Sequence, residues 1–592
     1  MKNLTVLILF VCFLSNSGKG QYYLRGEVKD EKGENLANVK ITLYSDKLLY
    51  YSGSSGGFGI TSRVAQDSLT LVLDGYEQQT VSIKAGTYLE IMMKKLAAIV
   101  SKNRPKLISI TKDLTKTSKF TWSIAEESYF SIVENELVPA KKFPNTGFSL
   151  NINKASYSNI RRFINMKSVV PPDAVRVEEL LNYFNLNYKE PPKNDYFKME
   201  STLSTCPWNK ENRLLYLNIN ARKLDLDKVP PSNLVFLIDA SGSMDMPNRL
   251  PLVKAAFQML VKNLRDKDTV SIVIYGGTVA VWMQPTSGAE KEKIIKAIEE
   301  LAAQGDTPGE SAIRLAYTVA KNTFIRNGNN RVILATDGDF NVGEVSEKAL
   351  EDLITRERQS GVYLTCLGVG MGNFKDSKLE TLAKRGNGNY AYLDDIREAE
   401  KVLVKEVTQT FYAVADDVSL NVKFNPDLVK DYRLIGFDNK KDAIADSSGK
   451  LEGGEIGSGN SVMAIFEVTP VDSTKLDGKA DAQLAQVELR FTAADTKQEM
   501  EMRYGCSAMC YPFAGIHKDL QFGAAVALFG QKLRESKFIN KTNWDNIELL
   551  ATSSYNPNEY LQKEFMQLVD AAKKMYAGDK KKKKKKKDEE DE

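Results

Sequence analysis

The sequence reads Leu234-Val-Phe-Leu-Ile-Asp239-Ala-Ser241-Gly-Ser243-Met244 at the point that decides the fold. A continuous apolar run is typical of a strand that is buried on both faces of a parallel sheet. Asp239 leaves this strand, and Ser241 and Ser243 follow at alternate positions. Their oxygens can point to one place, and oxygen ligands suit a hard divalent cation. Taken alone, the stretch also fits a turn that caps the next helix.

The surrounding residues, 230–412, alternate between strand patterns and helix patterns. Buried strands are predicted at 234–238, 270–275, 332–335 and 362–369, and helices at 252–264, 294–301, 312–324 and 349–359. This alternation predicts a doubly wound, Rossmann-like domain in which a mostly parallel sheet is covered by helices on both faces. Ligands of such domains bind outside the carboxyl ends of the strands.

Two later segments place further oxygen ligands at that edge of the sheet. Gly305-Asp-Thr307-Pro-Gly309 precedes a predicted helix, and Leu334-Ala-Thr-Asp337-Gly-Asp339 ends another apolar strand. With Asp239, Ser241 and Ser243, these segments resemble the von Willebrand factor type A domain and its metal-ion-dependent adhesion site (MIDAS). The resemblance covers about 180 residues, and all five ligand positions occur in the family's order.

The resemblance implies a role for each of the five residues. Ser241 and Ser243 would bind the metal through their hydroxyls, and Thr307 would bind it directly or through water. Asp239 and Asp337 would supply negative charge, often through a bridging water. The implied ion is Mg²⁺, with Mn²⁺ or Ca²⁺ as alternatives. In the family, an acidic side chain of a protein partner fills the open coordination position, so the implied partner presents an Asp or Glu carboxylate.

The regions on either side of this domain have different patterns. Residues 22–95 alternate as short strands with turn signals between them, which predicts a β-sandwich. Gly26-Glu-Val28, Gly57-Phe58 and Gly75-Tyr76 make this region similar to the carboxypeptidase regulatory-like domain. Residues 96–145 are polar and without a sustained period, so they are predicted to be a linker.

Residues 146–229 contain two amphipathic helical stretches and a strand pattern, and 413–578 begin with strands and end with helices. Ala155-Ser-Tyr157, Cys206-Pro-Trp208 and Gly454-Glu-Ile-Gly457 resemble the regions that flank the domain in a bacterial secreted von Willebrand group. The predicted fold class is therefore multidomain α/β and β, with an N-terminal β-sandwich, a central doubly wound domain and a C-terminal α+β region. The charged, low-complexity residues 579–592 are predicted to be disordered.

The first 20 residues are predicted to be a signal peptide. A lysine at position 2 precedes an apolar run at 4–14, and small polar residues follow it. An uncleaved anchor is the alternative. Export permits disulfides, so Cys506 and Cys510, four residues apart, form either a bridge or two free thiols. The predicted location is the periplasm, the outer membrane or the cell surface, with membrane association only through a partner.

Composition excludes several functions. The 592 residues contain one histidine, His517, so a two-histidine zinc site within one chain is excluded. The formal net charge is only +4, which argues against a nucleic-acid partner. No catalytic residues are assigned and none of the motifs marks an enzyme. We therefore expect an exported binding protein of the cell envelope. A metal-assisted hydrolase and a metal-independent structural component are the alternatives, and the oligomeric state stays open.

Overall fold

The computed structural model describes residues 22–45, 49–53, 55–62, 64–73, 76–95, 127–225, 228–305, 309–338, 347–371, 374–438, 454–472 and 482–590. The predicted signal peptide, the linker residues 96–126 and the predicted ligand Thr307 lie outside these stretches. Within them, no helix is both long enough and apolar enough to cross a membrane.

The N-terminal region is built from strands that pack in two layers around apolar side chains such as Leu24, Ile41 and Leu71. β1 lies between β4 and β7, and the second layer has the order β3–β2–β5–β6. The strands are β1 (Tyr22–Asp30), β2 (Lys40–Leu43), β3 (Leu49–Tyr51), β4 (Gly57–Ser62), β5 (Gln66–Val72), β6 (Gln79–Lys84) and β7 (Tyr88–Met93). The second layer continues into the sheet of the central domain, because Tyr51 pairs with Val279.

The region before the central domain contains two short strands, two helices and a long hairpin. These elements are β8 (Val138–Pro139), β9 (Asn145–Thr146), α1 (Ala155–Asn165), α2 (Val177–Asn182), β10 (Phe197–Thr205) and β11 (Arg213–Ala221). Residues 127–145 were expected to belong to the linker, and this expectation is wrong. Val138 pairs with Tyr432, and the Asn135 side chain donates to the carbonyl of Gly436 at 2.8 Å, so the segment is part of the folded body.

The central domain has the order β17–β16–β15–β12–β13–β14, with only β14 antiparallel to its neighbour. Its elements are β12 (Ser232–Asp239), α3 (Leu250–Lys262), β13 (Thr269–Gly276), β14 (Thr278–Ser287), α4 (Lys291–Glu299), α5 (Gly309–Asn322), β15 (Asn329–Thr336), α6 (Glu347–Glu357), β16 (Tyr363–Gly368), α7 (Asp376–Arg385), β17 (Tyr390–Tyr392), α8 (Ile396–Glu400), a π-turn (Lys401–Lys405) and α9 (Val407–Phe411). Phe236 and Val235 of β12 belong to different apolar clusters, so helices cover both faces of the sheet.

The C-terminal region follows as strands and then helices. Its elements are β18 (Ala413–Phe424), β19 (Val429–Ile435), β20 (Gly454–Gly457), β21 (Ser461–Pro470), β22 (Gln483–Ala493), β23 (Glu499–Ser507), β24 (Cys510–Tyr511), α10 (Lys518–Leu533), α11 (Trp544–Ser554) and α12 (Tyr560–Glu590). The backbone of 579–590 was expected to be disordered, and here it continues α12. Lys and Glu have high helix propensities, and the packed turns before them provide the nucleus.

The two flanking regions were expected to be separate domains, but they form one folded body. β11 is the reason, because it pairs antiparallel with β10 on one side and with β21 on the other. Its residues from Leu214 to Ala221 are all buried: Leu217 faces a second sheet and Tyr216 faces a layer of helices. Neither region could bury this strand alone. The central domain is therefore an insertion between two halves of a three-layered flanking body.

Buried ion pairs connect the inserted domain to the flanking body. Arg161 of α1, only 2% exposed, donates to Asp394 at 2.7 Å, to Glu398 at 2.7 Å and to Glu564 of α12 at 2.9 Å. Arg331, at the start of β15, pairs with Glu455 of β20 at 3.1 Å. Buried ion pairs contribute less to stability than their number suggests, but removing one partner leaves the other buried charges without a counter-ion. These pairs therefore fix where the two parts meet.

Replacing Arg161 tests this junction. Arg161→Met leaves three buried carboxylates without their shared counter-ion, so we expect the free energy of unfolding to fall by about 3–5 kcal/mol. Arg490→Met is the matched control. It removes an arginine whose side chain is 62% exposed and which pairs with Glu488, and its cost should stay below about 1 kcal/mol. Urea unfolding of both variants measures the difference, and equal losses would contradict the assignment.

Candidate metal site

Asp239 ends the central strand β12 and is fully buried. One carboxylate oxygen accepts the backbone N–H of Ser241 at 2.9 Å, and the other accepts the hydroxyl of Thr336 at 2.7 Å. Burial, followed by the nearby negative charge of Asp337, raises the pKa of Asp239 to about 7. A cation at this place would favour the ionised carboxylate, because opposite charges stabilise each other strongly where water is excluded.

Ser241 directly precedes the short turn Gly242–Met244 that follows β12, and Ser243 lies within this turn; the two residues are called the serine turn. Their hydroxyl oxygens are 3.1 Å apart, and the Ser243 hydroxyl donates to Asp337 Oδ2 at 2.8 Å. Neighbouring ligands of an octahedral Mg²⁺ ion are about 3 Å apart, since each lies about 2.1 Å from the ion. The spacing and the oxygen-only chemistry of these side chains therefore fit a hard divalent cation.

Asp337 follows β15, the parallel neighbour of β12, and this register brings it opposite the serine turn. Gly338 follows it with φ +83°, and its N–H donates to the Thr336 hydroxyl at 3.0 Å. Thr336 therefore orients both acidic positions: it donates to Asp239 and accepts from the turn that carries Asp337. No signal in the sequence distinguishes Thr336, because a threonine at the end of a strand is common.

The fifth predicted ligand, Thr307, lies outside the described residues, but the chain just before it is anchored at the site. The Gly305 carbonyl accepts the Gly242 N–H at 2.9 Å, and the Gln304 N–H donates to the Ala240 carbonyl at 2.7 Å. A Cβ on Gly276 would lie 2.3 Å from the Ala240 carbonyl, so only glycine permits this approach. The structure thus brings together the four predicted ligands that it describes. Gly305, which contacts the turn after β12, is two positions before the fifth in the sequence.

Arg249 is a residue of the site that the sequence analysis missed. It precedes α3, and its guanidinium donates to Asp337 Oδ2 at 2.5 Å and to the Ser243 carbonyl at 2.8 Å. Nothing in the sequence around it distinguishes it from an ordinary arginine at the start of a helix.

Polar side chains outside the predicted ligand set have structural roles. Asn153 accepts the N–H of Tyr390 at 2.9 Å and so joins the flanking body to the edge strand β17. His517 is exposed and accepts the Asp519 N–H at the start of α10. Cys506 and Cys510 are not joined by a disulfide in the structure, which corresponds to the alternative without a bridge. Among the described residues, no group of three His, Cys, Asp or Glu side chains could hold a metal, so hydroxyls are essential to the proposed ligand set.

Three family models match consecutive parts of the chain. The von Willebrand factor type A domain model matches 233–405, which confirms the predicted central domain. A model described as von Willebrand factor matches 123–216. The model described as uncharacterized protein YfbK, C-terminal, matches 409–575.

A full-length relative extends this match beyond the single domain. The chain is 37% identical to uncharacterized protein YfbK of Escherichia coli K12 over 464 residues, which cover 75% of this chain and 80% of the relative. The chain belongs to the YfbK family. The match extends beyond the von Willebrand domain into the parts of the chain that flank it.

More distant matches lie in animals and among solved structures. The inter-alpha-trypsin inhibitor heavy chain H2 of Mesocricetus auratus is 27% identical over 209 residues, 34% of this chain and 21% of that one. The solved structure titled von Willebrand factor type A from Catenulispora acidiphila is 16% identical, with a TM-score of 0.38, and covers 65% of this chain and 90% of that one.

Thr336→Val should destabilise the chain at the candidate metal site. Valine has nearly the same shape but leaves the buried Asp239 carboxylate without one donor and the Gly338 N–H without its acceptor. We expect a loss of about 1–3 kcal/mol in the free energy of unfolding. Thr318→Val is the control, because its half-buried hydroxyl only donates to the Arg314 carbonyl within α5. Thermal unfolding compares the two, and a loss no larger than the control's would refute the role given to Thr336.

Proposed function

We propose that this chain binds a protein partner through a divalent cation held at the carboxyl edge of the central sheet. The preferred ion is Mg²⁺. The observation that carries the proposal is the spacing of the oxygens of Ser241, Ser243 and Asp337, at 2.8–3.1 Å, beside the buried carboxylate of Asp239. Ser241 and Ser243 would bind the ion through hydroxyls. Asp239 and Asp337 would supply charge, and Thr307 would complete the set.

The proposed partner presents an Asp or Glu carboxylate. Von Willebrand factor type A domain proteins commonly mediate interactions between proteins, which supports a partner of this kind. A bound divalent cation stays attractive to a further carboxylate when the site itself supplies only hydroxyls and two acidic groups, and such a contact gives specificity for acidic ligands. The proposal is one of binding without catalysis.

The proposed place of action is the cell envelope. The support is the N-terminal pattern of a lysine, an eleven-residue apolar run and small polar residues, which is typical of secretory signals. The N-terminal β-strand region, similar in its glycine pattern to the carboxypeptidase regulatory-like domain, would act there as an accessory module.

The metal is tested by removing its proposed hydroxyl ligands. Saturating MgCl₂ should stabilise the wild-type chain, by about 2.7 kcal/mol at a hundred times the dissociation constant. Ser241→Ala combined with Ser243→Ala should abolish this gain while the chain still unfolds cooperatively in EDTA. Ser360→Ala is the control, since its hydroxyl donates to the Glu357 carbonyl near the opposite edge of the sheet. A Mg²⁺ response that survives in the double variant would reject the site.

The partner is tested by capture from an envelope extract. The immobilised wild-type chain in Mg²⁺ should retain proteins that EDTA releases and that the double serine variant does not retain. Peptides from a retained protein, each made with Glu or with Gln at one position, then identify the carboxylate. Partner capture that is unchanged by EDTA would favour a structural component. Turnover of phosphoester or peptide substrates that is lost in Asp239→Ala would favour a hydrolase.

A further inference from the structure

Arg249 connects three loops at the carboxyl edge of the central sheet. Its guanidinium donates to Asp337 Oδ2 at 2.5 Å, to the Ser243 carbonyl at 2.8 Å and to the Met371 carbonyl at 2.9 Å. The whole residue is 7% exposed. These bonds join the turn after β12, the end of β15 and the loop after β16, so one side chain holds together the two turns that carry Ser243 and Asp337.

The chain makes room for this guanidinium. Gly370 has φ +81°, and a Cβ added there would lie 2.6 Å from Arg249 Nε. Any larger residue at position 370 would therefore displace the arginine side chain. The planar fork of a guanidinium can reach a carboxylate and two carbonyls in fixed directions, whereas an ammonium group acts as a single point charge.

We propose that Arg249 is a positioning residue that also sets the charge of the metal site, an inference that rests on the proposed function. When both carboxylates are ionised, as a bound cation favours, Asp239 and Asp337 contribute −2 and Arg249 contributes +1, so the side chains together carry −1. A divalent cation then leaves the site at +1 instead of neutral. The arginine weakens metal binding, but it leaves a positive charge at the site that attracts a carboxylate.

A purely structural role for Arg249 makes the opposite prediction for the metal. If the arginine only held Asp337 in place, its removal would loosen a ligand and weaken metal binding. If its charge opposes the cation, its removal strengthens metal binding. The direction of the change therefore distinguishes the two roles.

The test is a titration of Mn²⁺ into the purified full chain by calorimetry. We expect Arg249→Gln to bind Mn²⁺ about tenfold more tightly than wild type, because a nearby positive charge is gone. Arg249→Lys keeps the charge and should stay within about threefold of wild type. Arg358→Gln is the charge-matched control. It removes an arginine that bonds to Asn387 near the opposite edge of the sheet, and it should change nothing.

The outcomes separate this inference from the proposed function. Mn²⁺ binding by wild type with equal or weaker binding by a folded Arg249→Gln overturns the charge role alone. Absence of Mn²⁺ binding in wild type overturns the proposed function as well. If Arg249→Gln does not unfold cooperatively in EDTA, Arg249→Lys decides. If Arg249→Lys binds Mn²⁺ about tenfold or more weakly than wild type, the hydrogen bonds of the guanidinium matter and its charge does not.

A second measurement addresses the ligand that the residual charge would attract. Acetate is titrated into the Mn²⁺-loaded proteins while the relaxation of water protons reports on the ion. Acetate should bind more weakly to Arg249→Gln than to wild type or to Arg249→Lys. Equal acetate binding in all three proteins would overturn the selectivity assigned to Arg249.

Discussion

A buried carboxylate at the end of the central strand is the constraint on which the rest of the site depends. Asp239 is fully buried, and a charge without water is costly unless fixed groups compensate it. The chain supplies one hydroxyl from Thr336 and one N–H from Ser241, and then places a second acidic residue, Asp337, nearby. These donors compensate only part of the charge. The arrangement therefore favours a cation, and the hydroxyls of Ser241 and Ser243 complete the proposed set of oxygen ligands.

The inserted domain is held to its flanking body more firmly than a domain on a linker would be. Both of its ends enter that body, and Arg161 and Arg331 add buried ion pairs across the boundary. Because breaking such a pair leaves a buried charge without its counter-ion, the boundary resists partial separation. A load applied at the proposed metal site would pass into the three-layered body through these contacts, which is consistent with the proposed binding of a partner.

The sequence predicted what local patterns encode, and it missed what depends on distant pairing. The alternation of strands and helices in 230–412 predicted the doubly wound domain, and the motifs predicted that Asp239, Ser241, Ser243 and Asp337 lie together. The pairing of β11 with β21 joins residues about 250 positions apart along the chain, and no local sequence pattern predicts it. Arg249 was missed for the same reason, since its role comes from loops that only the sheet brings together.

The N-terminal strands also contribute to the site, although they supply no ligand. Tyr51 pairs with Val279, which places the end of β3 beside the turn that joins β13 to β14. A Cβ on Gly53 would lie 2.3 Å from the Gly277 carbonyl, and one on Gly305 would lie 2.3 Å from the Gly277 Cα.

The backbones at Gly53, Gly277 and Gly305 are therefore in direct contact, and Gly305 is two positions before Thr307 in the sequence. Side chains at these glycines would push the layers apart. The N-terminal strands thus pack beside the backbone of Gly305, the last described residue before the proposed ligand Thr307. An accessory domain in this position can influence the proposed site without contributing a side chain to it.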